Sequence, residues 1–319
     1  MSGDISALSQ YQIRRFFKEN TFVSKEQCNE QARRLAGRPV TPTPSQGGTS
    51  YTLEGGDVVV QFRAPNSPLD MGFLPSIKQA YGDFVPSHTY HGSFGSLIVY
   101  SMSNMGGHCM YLARTELQKD GCHLLRSTLD DLARFFASAY HNTPADMARP
   151  GADQLFSEYK SQLRQLREGL PRRFRSKLDT IISQLPILFD EDWPVTPHHT
   201  NLLDNNIHVV KSTGRMSGVC GWRGAVAGPF GLSLGGVETM LGVRTTSGDF
   251  WRYHDNHEEL RDHFYDRFYH HVGNVSDVDK QRIEVARLVG LFLANGFWRG
   301  RPATENSEDL RFLGAVVLR

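Results

Sequence analysis

Residues 193–238 read WPVTPHHTNLLDNNIHVVKSTGRMSGVCGWRGAVAGPFGLSLGGVE. A short polar loop, His199 to Asn206, runs into the apolar alternation Ile207-His208-Val209-Val210. A turn follows over Lys211 to Gly214, and a second apolar run, Met216 to Val219, leads to Cys220-Gly221-Trp222. β-Branched residues on both sides of a Ser-Thr-Gly turn predict a hairpin. A hairpin sets its two ends side by side, so Asn201, Asn206 and Gly221 are expected to converge.

That arrangement resembles the catalytic hairpin of the aminoglycoside phosphotransferase-like family, fungal type, which shares the protein-kinase fold. The family's loop reads His-x-Asp-x-x-x-x-Asn, and its second strand ends in an Asp, usually before Trp. In kinase chemistry the first Asp orients or takes the hydroxyl proton, while the Asn and the second Asp hold magnesium. Here the frame is present at His199, Asn206 and Trp222, but Asn201 stands at the base position and Gly221 at the metal position. An amide carries no charge and accepts no proton at working pH, and glycine offers no ligand atom. Magnesium sites on proteins rest on one or two carboxylates beside substrate phosphates and water. Asp204, inside the loop, is the one conceivable replacement.

The resemblance implies an α+β, two-lobed protein-kinase-like fold, with a small β-rich N-lobe and a larger, mainly helical C-lobe. It places an N-terminal helical segment at 1–36, the N-lobe at 37–103, and the C-lobe at 104–319 with the degenerate hairpin at 196–222. It further implies that phosphoryl transfer has been lost, with no metal and no cofactor. In the family the strand Val58 to Arg63 carries the residue that meets the nucleotide phosphates; fungal members commonly read Gln-Phe-Arg there, as Gln61-Phe62-Arg63 does. Met102 and Met105 would border the hinge, and Cys220 and Gly221 would face the cleft. These six residues (Arg63, Gln61, Met102, Met105, Cys220, Gly221) are the expected ligand-binding set.

Composition narrows the partners. The 319 residues carry 35 Lys+Arg against 34 Asp+Glu, a formal charge of +1, which leaves no electrostatic footprint for nucleic acid. No apolar run has the length of a membrane span and the N-terminus has no signal-like apolar region. Cys28, Cys109, Cys122 and Cys220 show no paired spacing, as expected of free thiols in the cytoplasm. Oligomeric state is not legible. Thirteen histidines include no His-Glu-x-x-His pattern; His254 and His257 are expected to share a helical face.

Along the chain, residues 1–36 read as helical, with Ser24 and Gln27 forming a capping box. Arg38 to Ser45 reads as an extended connector, and Gln46 to Leu53 and Asp57 to Arg63 as strands. Leu69 to Gly82 reads as a helix interrupted by Pro75, and Val85-Pro86 and Gly95 to Met102 as strands. Leu124 to Tyr140 is a long amphipathic helix. Ala152 to Leu188 is a helical pair broken at Gly169-Leu170-Pro171, Asp190-Glu191-Asp192 a solvated turn, and 260–297 two C-lobe helices. The Gly-rich Pro229 to Leu234 reads as tight backbone packing.

Three functions are compatible with this reading. In the first, the pocket between the lobes holds a small hydrophobic metabolite and steers a metal-free cyclisation or isomerisation, with Asn201, His199 and Asn206 as polarising groups, as in secondary metabolism. The second is a noncatalytic pseudokinase that binds or scaffolds. The third is a weakened small-molecule phosphotransferase.

Overall fold

The computed structural model describes residues 7–245 and 250–318. Two helices open the chain: α1 (Ala7–Asn20) and α2 (Lys25–Ala36). Ser24 and Gln27 form the reciprocal capping box expected of them, worth about 1 kcal/mol. A five-stranded antiparallel sheet follows, built from β1 (Thr41–Pro42), β2 (Ser50–Gly55), β3 (Val58–Arg63), β4 (His88–Phe94) and β5 (Leu97–Ser103), in the order β1-β2-β3-β5-β4. Alternation sorts its two faces. Tyr51, Leu53, Val60, Phe62, Leu97 and Val99 are buried with Phe16, Cys28 and Ala32 of α1 and α2. The opposite face presents Thr52, Gln61 and Tyr100 in one cross-strand row and Ser50, Arg63 and Ile98 in the next. Tyr100 and Ile98 pack into the larger lobe's core.

Between β3 and β4 lies α3 (Leu74–Tyr81), shorter than the expected helix. Pro75 sits in its first turn, where a missing N–H costs nothing, so it starts the helix instead of breaking it. Val85-Pro86 is not a strand; pairing begins at His88.

The larger lobe contains β6 (His108–Cys109), α4 (Met110–Leu117), α5 (Lys119–His141), α6 (Ala152–Gly169) and α7 (Arg175–Gln184). Helix α5 buries Leu125, Leu129, Leu132, Phe135 and Phe136, each contributing about 1.5–3 kcal/mol. Its start carries three successive left-handed residues, Asp120, Gly121 and Cys122. Next come β7 (Val195–His198), β8 (Ile207–Val209), β9 (Met216–Val219) and β10 (Val226–Pro229). β8 and β9 pair antiparallel as the predicted hairpin, with Ile207 opposite Val219. The pairing of β7 with β10 was not expected. A 3-10 helix, Leu232–Met240, leads to α8 (His257–Val272), α9 (Asp277–Asn295) and α10 (Glu308–Val317).

Two local expectations are corrected. Asp190 and Asp192 are not merely solvated: both receive the buried guanidinium of Arg282, at 2.8 and 3.0 Å. His254 precedes α8 instead of sharing its face, and its backbone oxygen lies 2.9 Å from His257 Nδ1. Among the described residues no helix is long and apolar enough to cross a membrane.

Candidate functional site

The hairpin is held from below by α5. Asp131, buried to 1 % exposure, accepts the Met216 backbone N–H at 2.9 Å and Arg215 Nε at 2.7 Å, and Arg134 joins the same carboxylate. Thr128 Oγ1 donates to the Gly214 carbonyl at 2.6 Å. Gly214 has φ +68° and the Leu124 backbone leaves no room for a Cβ, so glycine is required at this turn. The apolar side of the hairpin rests on Trp222, whose Nε1 donates to the Val219 carbonyl at 2.8 Å. Tyr81 packs on this tryptophan and stacks on Phe135 with ring centres 4.1 Å apart.

His199 is spent on backbone. Its Nε2 faces the Cys220 carbonyl at 2.8 Å and its Nδ1 accepts the Asn201 N–H at 3.2 Å. A ring nitrogen facing a carbonyl must carry the proton, so the ring is the neutral Nε2–H tautomer. Burial holds it there, pushing its pKa down from the ordinary 6.5 to about 4. Asn206 Nδ2 donates to the Asn201 carbonyl at 2.8 Å. Gly221 has φ +81°, and a Cβ on it would stand 2.6 Å from Asn206 Oδ1. The Cys220 backbone N–H donates to Asn206 O at 2.8 Å, while burial pushes the Cys220 thiol up to about 12, far from a reactive thiolate. Asp204 turns away from this group: its carboxylate takes Arg114 Nη2 at 2.5 Å. Among the described residues no cluster of three His, Cys, Asp or Glu is placed to hold a metal ion.

The sheet-face residues form a separate set. Arg63 is 6 % exposed and hydrogen-bonds the Ser67 carbonyl, Ser67 Oγ and Gln61 Oε1 at 2.5, 2.8 and 2.6 Å. Among the described residues no carboxylate pairs with it; burial, and then the charge of Arg223, pulls its pKa down to about 10. Met102 lies opposite Val59 on the same face. Met105 packs against Gly218 of the hairpin, and the following Gly106 carbonyl accepts Ser217 Oγ at 3.1 Å and faces His208 Nδ1 at 3.4 Å.

A cavity of about 400 Å³ opens under the loop, inside the larger lobe. His199 and Asn201 line it; Gln61, Arg63, Met102, Met105, Asn206, Cys220 and Gly221 do not. Its apolar wall includes Leu202, Leu232, Leu291 and Phe312, and its polar groups include His198, Ser233, Tyr159 and Asn295. Sequence reading passed over His198, Ser233 and Tyr159. The expectation that the chain has no Gly-x-Ser-x-Gly spacing is corrected: Gly231-Leu232-Ser233-Leu234-Gly235 has it, and it is the signal that could have pointed to Ser233.

Fold and hairpin together define a protein-kinase-like architecture, with a β-rich N-terminal lobe and a helical C-terminal one. A choline/ethanolamine kinase family protein from Mesorhizobium loti superposes with a TM-score of 0.53 at 13% identity, covering 83% of each chain. Plasmodium vivax ethanolamine kinase gives 0.53 at 11% identity over 97% of this chain and 94% of its own. An aminoglycoside phosphotransferase from Streptomyces rimosus, in complex with ADP and streptomycin, gives 0.50 at 12% identity over 81% and 94%. No protein-family profile and no curated protein sequence matches the chain.

Proposed function

We propose that this chain keeps a phosphotransferase architecture without its chemistry. On this reading it binds a small, largely apolar organic molecule in the cavity beneath the loop and acts on it without metal or nucleotide, as a cyclase or isomerase. One observation carries the reading. At the centre of the hairpin, where magnesium and a hydroxyl proton would be handled, stand an amide tied to a carbonyl and a glycine, while the loop's remaining acid is neutralised by Arg114. Below this centre lies an open cavity with an apolar wall of leucine and phenylalanine side chains and a large polar share that includes the charged Glu158, Arg244 and Asp309, so a ligand there would be an apolar body carrying polar groups. On this reading the ligand site is the cavity within the larger lobe instead of the space between the lobes, and Asn201 is one of its lining residues. Unimolecular ring closure or isomerisation needs shape, orientation and a few hydrogen-bond donors, and those alone lower barriers by several kcal/mol.

A noncatalytic pseudokinase is the second reading, favoured by Arg63: a buried guanidinium without a carboxylate invites an anion between the lobes. A weakened phosphotransferase is disfavoured by the Arg114–Asp204 pair. The test is a melting-temperature series with ATP, with ATP plus Mg²⁺, and with small apolar ligands. The proposal expects a response only to the apolar ligands. A metal-independent shift with ATP supports the pseudokinase, and phosphate transfer to an alcohol at an ordinary enzymatic rate overturns the proposal.

A further inference from the structure

Two polar side chains on the cavity wall face each other. His198 Nδ1 lies 3.2 Å from Ser233 Oγ, and His198 Nε2 lies 2.9 Å from the Gly228 carbonyl. Only an N–H can face that carbonyl oxygen, so Nε2 carries the proton and Nδ1 presents its lone pair to the serine. The hydroxyl has a second acceptor in the His199 carbonyl at 3.4 Å, but the ring nitrogen is nearer. Ser233 and His198 are buried at 9 and 4 % exposure, and both border the open cavity.

The backbone around the serine has the order strand, turn, helix. β10 ends at Pro229, Gly231 turns the chain at φ +105°, and the 3-10 helix starts at Leu232. Gly231 and Gly235 are close-packed: a Cβ at either would press on Ala286 or Leu291. The spacing is the Gly-x-Ser-x-Gly with which hydrolases present a nucleophilic serine beside a base, but in this chain Ser233 stands in the first turn of the 3-10 helix and the positive φ falls on Gly231 instead of on the serine. Here a backbone carbonyl takes the place of the carboxylate that ordinarily orients the histidine. Tyr159 completes the group. It borders the same cavity, its hydroxyl stands over Gly228 beside the His198 ring, and among the described residues it has no hydrogen-bond partner.

We infer that Ser233 and His198 form a nucleophile–base pair, and that the cavity takes an ester or thioester of an apolar acid. This deepens the function proposed above and rests on it, because the substrate occupies the same cavity. Ser233 Oγ adds to the acyl carbon as its proton passes to His198 Nδ1. The bond to the alcohol or thiol then breaks, the leaving atom takes that proton, and acyl-Ser233 remains. Tyr159 donates to the carbonyl oxygen while it carries negative charge. A hydroxyl elsewhere on the same acyl chain then attacks the ester carbon, giving its proton to His198 and from there back to Ser233 Oγ. The product is a lactone, with no metal and no redox partner; water in place of that hydroxyl gives the free acid.

The test treats the full chain with a hexyl fluorophosphonate and with p-nitrophenyl hexanoate, reading intact mass and nitrophenolate release. Binding of hexanoic anilide, which cannot acylate serine readily, is followed in parallel by melting temperature. The expected result is one phosphonyl adduct mapped to Ser233 and a nitrophenolate burst of about one equivalent per chain. Ser233→Ala should lose both while keeping its fold and its anilide shift. Should that variant misfold, Ser233→Cys must retain the burst and become alkylated at position 233. An adduct elsewhere, or one that survives in Ser233→Ala, overturns the inference. Anilide binding without any adduct overturns it and leaves the proposed function standing, whereas absence of both adduct and binding overturns the two together.

Discussion

The Asn206 side-chain amide donates to the Asn201 backbone carbonyl at 2.8 Å. The loop's first and last functional positions are therefore bound to each other, and the space beside them at Gly221 is taken up by the Asn206 oxygen. A metal site could be rebuilt only by undoing this contact.

That cost sets the first prediction. Gly221→Asp places a side chain at φ +81° and 2.6 Å from Asn206 Oδ1, and should destabilise the chain by about 1–2 kcal/mol. The exposed Asn201→Asp should be near neutral alone. The double variant should regain a Mg²⁺-dependent rise in melting temperature as Asn206 rotates to offer its oxygen. A double variant indifferent to Mg²⁺ would place the metal position elsewhere.

Arg114→Ala leaves the half-buried Asp204 carboxylate unpaired, and should cost about 1–3 kcal/mol in urea unfolding. Asp204 faces Arg114 and not Asn206, so freeing it should confer no Mg²⁺ response. A Mg²⁺-stabilised Arg114→Ala protein would revive the weakened phosphotransferase.

Burial depresses the pKa of both His198 and His199 from 6.5 to about 4. Below pH 6.5 the unfolded chain binds protons that the folded chain refuses, so stability is full above that pH. It declines as pH falls toward 4, by up to about 3 kcal/mol per histidine. Urea midpoints between pH 7 and pH 4 should show this fall, and His199→Gln should flatten part of it. A flat profile would mean that the rings are solvated.

Arg63 is buried, and among the described residues no carboxylate pairs with it. Ser67 and Gln61 already take N–H groups of this guanidinium, so phosphate should leave the melting temperature of the native chain unchanged; a metal-independent rise that Arg63→Met abolishes would support the pseudokinase. In phosphate-free buffer the methionine variant should be as stable as the native chain or more so, since a buried charge is exchanged for apolar packing of similar length. Destabilisation by several kcal/mol would show that the hydrogen bonds to Ser67 and Gln61 outweigh the desolvation.

The parts legible in the sequence were those with short-range signals. β8 and β9 announced themselves by β-branched runs around a glycine turn, α5 by its apolar repeat, and α2 by Ser24 and Gln27. The β7–β10 pair was invisible because its strands are four residues long, lie about thirty residues apart and each contain a proline. The acceptors of Arg282 are some ninety residues distant in the chain, so Asp190 and Asp192 looked like surface. Asn201 and Gly221 are read directly from the sequence, and the structure brings both beside Asn206. The cavity could not be read that way: its wall draws on β7, the 3-10 helix, α6, α9 and α10, and only packing brings Tyr159, His198 and Ser233 to one place. Helix α10 carries its own cap, Ser307, but its packing partner Phe174 lies far back in the chain.

Met105 against Gly218, with Ser217 and His208 at the Gly106 carbonyl, joins the segment linking the lobes to the larger lobe's own hairpin. The linker is thereby fastened to the larger lobe from Met105 onward, so any movement of one lobe against the other bends the chain before that residue. The open cavity lies within that lobe, so a ligand's arrival and departure there do not wait on the lobes parting.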